Sequence, residues 1–167
     1  MTLSYLLLEE LDREVPRSRR ALEQVPANRD DWKPHDKSMP LGRLASMLAT
    51  MPSWIGFIVR QDELDPTPPG GNQWQPPSHA ELVSALEKSA ADGRAALSGV
   101  ADDALLNSNW RLRAGGKVVS NTTRYVALRD LLNHTAHHRG QLTVYLRLLN
   151  ATVPAIYGPS ADDQRFL

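Results

Sequence analysis

The residues of this chain best suited to chemistry stand close together, in the run Asn133-His134-Thr135-Ala136-His137-His138-Arg139-Gly140-Gln141-Leu142. Three of the chain's five histidines fall inside it. At about 100° per residue, His134 and His138 lie one helical turn apart, with Cβ atoms about 5–6 Å from each other. That spacing lets two imidazoles share one metal ion. His137 is turned about 60° to one side of this line.

Leu131, His134, His138, Leu142, Tyr145 and Leu149 share one sector of the same helix, with Gln141 at its edge. The two histidines are therefore expected to face inward, as metal ligands or as core histidines satisfied by their neighbours. Two imidazoles leave most of a metal's coordination open. His35, His79, Asp36 and Asp130 are candidates for completing it, and none has a spacing that compels the choice. Asp130 reads either as a group orienting an imidazole or as a surface ion-pair residue. His137, Arg139 and Gln141 read either as contacts to a substrate or partner, or as a solvated face. Gly140 lowers helix propensity by about 1 kcal/mol relative to Ala, which suggests a close approach by another backbone. Trp54 and Tyr145 read as core aromatics rather than substrate walls.

The elements that must position these groups are mostly helical. A first helix is predicted from Thr2 or Ser4 to about Glu23, with Leu3, Leu7, Leu11, Val15, Ser18 and Leu22 at helical spacing. Val25 to Pro40 reads as an ordered loop. A second helix is predicted from Ser38 to Leu41 onward, with Ser38 as cap and Pro40 in the first turn. Its core stripe is Leu44, Met47, Met51, Trp54 and Ile58, and Pro52 implies a kink. Gln61 to Pro77 is a proline- and glycine-rich loop. A third helix opens at Ser78, with Glu81 completing a capping box, and runs to Gly99. Asp102 to Leu106 adds a turn. Trp110 to Ser120 alternates around Gly115-Gly116 as a short β-hairpin. The last helix runs from about Thr122 to Leu149, followed by a loop-like tail, Val153 to Leu167.

These elements predict an all-α fold, a four-helix bundle with a short β-hairpin before the last helix, in one domain over residues 1–167. Lysine plus arginine equals aspartate plus glutamate at 19 each, so the basic footprint of a nucleic-acid binder is missing. There is no cysteine, which excludes disulfides and thiolate ligands. The apolar run Leu6-Leu7-Leu8 lacks a basic flank and a cleavage site, and no segment reaches the roughly 18 apolar residues of a membrane span. A soluble cytoplasmic protein that engages neither membrane nor nucleic acid is the expectation.

Four segments carry a resemblance: Trp32 to Met39, Leu41 to Ala45 with Pro52-Ser53-Trp54, Asn133 to Leu142, and Val153 to Ser160. Together they resemble the DinB-like family, the DinB/YfiT-like metalloenzymes. The resemblance implies a four-helix bundle with up-down-down-up connectivity, a homodimer, and a divalent metal (nickel, zinc or manganese) held by three histidines. Two of those ligands carry over to His134 and His138. The third belongs to a Leu-Ala-x-His-Leu-Ala string, which here reads Leu44-Ala45-Ser46-Met47-Leu48-Ala49, so that Met47 takes the histidine's place. A thioether is a soft, neutral ligand, better suited to copper(I) than to those divalent ions. The implied activity is metal-dependent transfer to a low-molecular-weight thiol, or hydrolysis, with Arg139 and Gln141 positioning cofactor or substrate. The alternative is a non-catalytic binding or dimerisation module that has lost its metal.

Overall fold

Thr2 starts the first helix by accepting the Tyr5 N–H on its hydroxyl at 3.2 Å, and α1 then spans Leu3–Leu22. Leu7, Leu11, Ser18 and Leu22 form the buried stripe expected of it. A computed structural model describes residues 1–67 and 75–165. Pro68, Pro69, Gly70 and Gly71 of the expected loop, and the last two residues of the expected tail, lie outside the described residues.

The second helix, α2, spans Leu41–Thr50. Pro40 occupies its cap position, whereas Ser38 closes the preceding turn through its N–H to His35 O at 2.9 Å and does not cap. Pro52 interrupts the expected second helix rather than merely kinking it. Without an N–H it cannot continue the ladder back to Leu48, and the chain passes through a 3₁₀ turn, Met51–Ser53, before resuming as α3, Trp54–Arg60.

The Ser78/Glu81 capping box is present, opening a single 3₁₀ turn and then α4, Leu82–Leu97. After the short α5, Asp102–Leu106, the chain forms two antiparallel strands joined at Gly115 and Gly116, whose φ values of 57° and 81° suit a primed hairpin turn. The loop before α4 also contributes a strand. Thus β1 (Glu63–Leu64) pairs in parallel with β2 (Asn109–Ala114), which pairs with β3 (Lys117–Thr123), in the order β1-β2-β3. Finally Thr123 caps α6, Arg124–Leu148.

The chain is mostly helical, with this small three-stranded sheet at one side. Its core has two parts. One gathers Leu7, Leu11, Met51, Ile55, Ile58 and Leu128 around Trp110, which brings the sheet onto the helices. The other gathers Leu22, Leu44, Leu48, Leu86, Leu142 and Leu146. Both α1 and α6 contribute to each, so α6 carries the histidines across the middle of the molecule. Arg124 ties the start of α6 to the strand segment by donating to Gln61 O at 2.6 Å and Asp62 Oδ1 at 2.8 Å. Among the described residues no helix is long and apolar enough to cross a membrane.

Candidate metal centre

Helical spacing brings the His134 and His138 rings to 4.4 Å between centroids, tilted by 42°. His137 lies farther from His134, at 6.4 Å. The two rings differ in environment. His138 is buried at 7% exposure, whereas His134 is exposed, contrary to the expectation that both face inward. The helical wheel gives the direction of a side chain, and here what stands opposite His134 is an open cavity. Partial burial of its ring, followed by the neighbouring His138 and His137, lowers the pKa of His134 below the usual imidazole value. A neutral ring with a free lone pair is favoured there.

Gln141, expected as a contact to cofactor or substrate, stands beside His138. Its Oε1 accepts from His138 Nδ1 at 2.8 Å. This places the imidazole proton on Nδ1 and leaves the lone pair on Nε2, which is buried and has no hydrogen-bond partner. A ring held through one nitrogen with the other left bare is the arrangement found around metal-binding histidines.

Arg139 points away from this pair. Only 1% of its side chain is exposed, and it pairs with the Glu14 carboxylate of α1. It also donates to Glu14 O at 3.2 Å and Ser18 Oγ at 3.1 Å. The Tyr157 hydroxyl donates to Glu14 Oε2 at 2.9 Å, and Arg17 stacks on the Tyr157 ring at 4.5 Å. Burial raises the Glu14 pKa, but the Arg139 hydrogen bond and charge, with Tyr157 and Arg17, outweigh it and hold the carboxyl below its ordinary value. With its donors occupied in this cluster, Arg139 braces α6 against α1 and the C-terminal tail. Reading the sequence for motifs misses Glu14, although an acid three residues after Leu11 and four before Ser18 falls in the apolar stripe and signals a buried partner.

The segments flanking α2 touch α6: the Tyr145 hydroxyl donates to Met39 O at 3.1 Å, and Thr135, whose hydroxyl donates to Leu131 O at 2.9 Å within α6, lies 3.9 Å from Met51 Sδ. Met47 itself is half-buried and packs on the core. The other candidate ligands stay apart from the pair: His35 Nδ1 accepts from Lys37 N at 3.1 Å in a loop, Lys33 Nζ donates to Asp36 O at 2.9 Å in the same loop, and His79 Nε2 lies 2.8 Å from Val25 O. Among the described residues no group of three or more His, Asp or Glu has the arrangement of a metal site. Asp130 lines the cavity beside His134. A Cβ on Gly140 would meet nothing within 4 Å, so no backbone approaches there. Tyr145 is a core aromatic, edge-on to Trp32 at 5.5 Å, whereas Trp54 lines the cavity.

The DinB family model matches residues 4–165, nearly the whole chain. The chain belongs to the DinB family. Its likeness to other DinB proteins lies more in the fold than in the residues. A DinB-like protein from Bacillus cereus ATCC 10987 superposes with a TM-score of 0.66 at 21% identity, over 90% of this chain and 95% of that one. The DinB-like protein YjoA of Bacillus subtilis gives 0.68 at 17% identity, over 96% and 99%. The uncharacterized YrdA of Bacillus subtilis strain 168 is 52% identical over 36 residues, a match covering 22% of either chain.

Proposed function

We propose that this DinB-family chain binds a divalent metal ion through His134 and His138 and uses it in transfer to a low-molecular-weight thiol, or in hydrolysis. The observation carrying this reading is the buried, partnerless Nε2 of His138, whose ring is held from the other side by Gln141. Two imidazoles fit nickel or zinc, whereas manganese is better matched by oxygen ligands. The third position, Met47, fits a softer ion, so the proposed site is a two-imidazole site with a weak thioether contribution. A bound ion of this kind lowers the pKa of a thiol or water, yielding a nucleophile near neutral pH.

The chain's own residues supply the rest of the proposed role. His138 and His134 hold the ion, Gln141 keeps the His138 proton on Nδ1, and the cavity beside His134 receives substrate. Arg139 acts through the Glu14 pair as a positioning residue that holds α6 in place. The up-down-down-up bundle connectivity and the homodimer implied by the family resemblance belong to the same reading, in a soluble cytoplasmic setting.

The test is metal content after purification without a His tag, followed by calorimetric titration with nickel, zinc and manganese. Binding by the wild type that weakens at least tenfold in His138→Ala supports the proposal. No binding of any of the three metals overturns it. That result leaves a second reading, a non-catalytic binding or dimerisation module, which the thioether of Met47 favours.

A further inference from the structure

Three guanidiniums stand together where α1 meets the C-terminal tail, and a single carboxylate answers them. Arg17 and Arg139 both pair with Glu14. Arg20, about one turn beyond Arg17 on the same face of α1, has no hydrogen bond or ion pair among the described residues. Its Nε is sealed from solvent without an acceptor, while its two terminal nitrogens stay open to water. Desolvation, and then the charges of Arg165, Arg17 and Arg139, lower the Arg20 pKa, and Asp163 offsets only part of this. Arg17 is held in place, because its Nε donates to Ile156 O at 3.2 Å and its guanidinium lies 4.5 Å over the Tyr157 ring. Its Nη2 carries no hydrogen bond and is likewise open to water.

We propose that the open edges of Arg17 and Arg20 form a binding site for a doubly charged oxyanion, a phosphate group that is either free or at the end of a small molecule. The charge sets the class. Arg17, Arg20 and Arg139 against Glu14 alone leave an excess of two, since Arg165 is spent on Asp163 through bonds of 2.8 and 2.7 Å. Charged groups withdrawn from water are ordinarily paired, and a dianion supplies what this cluster lacks. The geometry agrees, because terminal guanidinium nitrogens match the oxygens of a phosphate, and a carboxylate brings only one charge to two forks. Arg139 is buried and contributes its field rather than a contact. The site uses no metal ion and stands apart from the metal reading.

The whole chain is titrated in low-salt buffer with EDTA, using inorganic phosphate, methyl phosphate, sulfate and acetate at matched ionic strength, so that general screening is the same for each. Phosphate and sulfate are expected to bind with dissociation constants of about a millimolar, and acetate about tenfold more weakly. Saturating phosphate shifts the Nε–H resonance of Arg20 in the wild-type spectrum. Arg20→Gln weakens phosphate by about tenfold, whereas Arg13→Gln, at an exposed arginine one turn before Arg17, changes it by less than about twofold. Methyl phosphate binding as well as or better than inorganic phosphate marks the end group of an organic molecule as the source, and weaker binding marks the free ion; either order supports the site. Equal affinity for phosphate and acetate, equal losses in Arg13→Gln and Arg20→Gln, or an unmoved Arg20 resonance at saturating phosphate overturns the proposal. The first and last of these are read on the wild type and decide the matter even if Arg20→Gln fails to fold.

Discussion

His138 donates its Nδ1–H to Gln141 Oε1 at 2.8 Å, from less than one turn away on the same helix. The bond selects the tautomer whose Nε2 lone pair faces the interior, and it costs little to assemble because α6 sets the spacing. Gln141→Ala therefore weakens nickel binding by about 10- to 100-fold, the usual effect of losing such an orienting partner. Gln141 is exposed, so the melting temperature of the metal-free protein stays almost unchanged. Calorimetry and a thermal melt in EDTA check the two halves.

Met47, on α2, takes the place of the third imidazole in the proposed site. Met47→Leu removes only a soft, weak donor, so nickel and zinc affinity change by less than tenfold. Met47→His adds a borderline nitrogen donor of the kind already present and tightens both metals by at least tenfold. A metal bound to the native state stabilises it according to its concentration over its dissociation constant, so Met47→His also raises the metal-induced gain in melting temperature. Equal gains in wild type and Met47→His would place residue 47 outside the site.

Glu14 and Arg139 form a buried pair, and removing one partner of such a pair costs about 3–5 kcal/mol because the other charge stays behind. Glu14→Gln should fall in that range at pH 7, as read by urea denaturation. The pH dependence follows from the lowered pKa of Glu14 in the folded state. Its stabilisation is fully present above the ordinary value of 4.5 and is lost as pH falls through the lowered folded value. The stability gap between wild type and Glu14→Gln is thus constant from pH 7 down to about 5 and narrows on further acidification. A gap that widened below pH 4.5 would contradict the pairing.

Local features of the fold were legible because their signals are local. The start of α1 near Thr2, the Ser78/Glu81 box and the Gly115-Gly116 turn each span only a few residues, and the stripe of α1 repeats within one continuous helix. The strand Glu63–Leu64 was not legible, since two residues carry no periodicity and its partner strand lies nearly fifty residues away. At the candidate site, the spacing of His134 and His138 was readable, but their unequal burial depends on Trp54, Trp110 and the sheet that shape the cavity. Arg139 looked like a substrate contact for the same reason: its partner Glu14 is 125 positions distant. A helix reports which side chains share a face and is silent about what packs on that face.

The same limit separates two helical glycines whose propensity cost is alike in sequence. A Cβ on Gly140 meets nothing within 4 Å, whereas one on Gly93 falls 2.5 Å from Pro52 O, a backbone atom of the 3₁₀ turn. Gly140→Ala gains helix propensity without a clash and should stabilise the fold by about 0.5–1 kcal/mol, raising the melting temperature by roughly 1–4 °C. Gly93→Ala makes the same local gain but must push α4 away from Met51–Ser53, against buried Pro52 and Ile55. Cores accommodate such overpacking at a cost of about 1–3 kcal/mol, more than the propensity gain, so Gly93→Ala should lower the melting temperature. Thermal melts of both variants check the opposite signs, and a stabilised Gly93→Ala would mean that α4 does not approach the proline turn this closely.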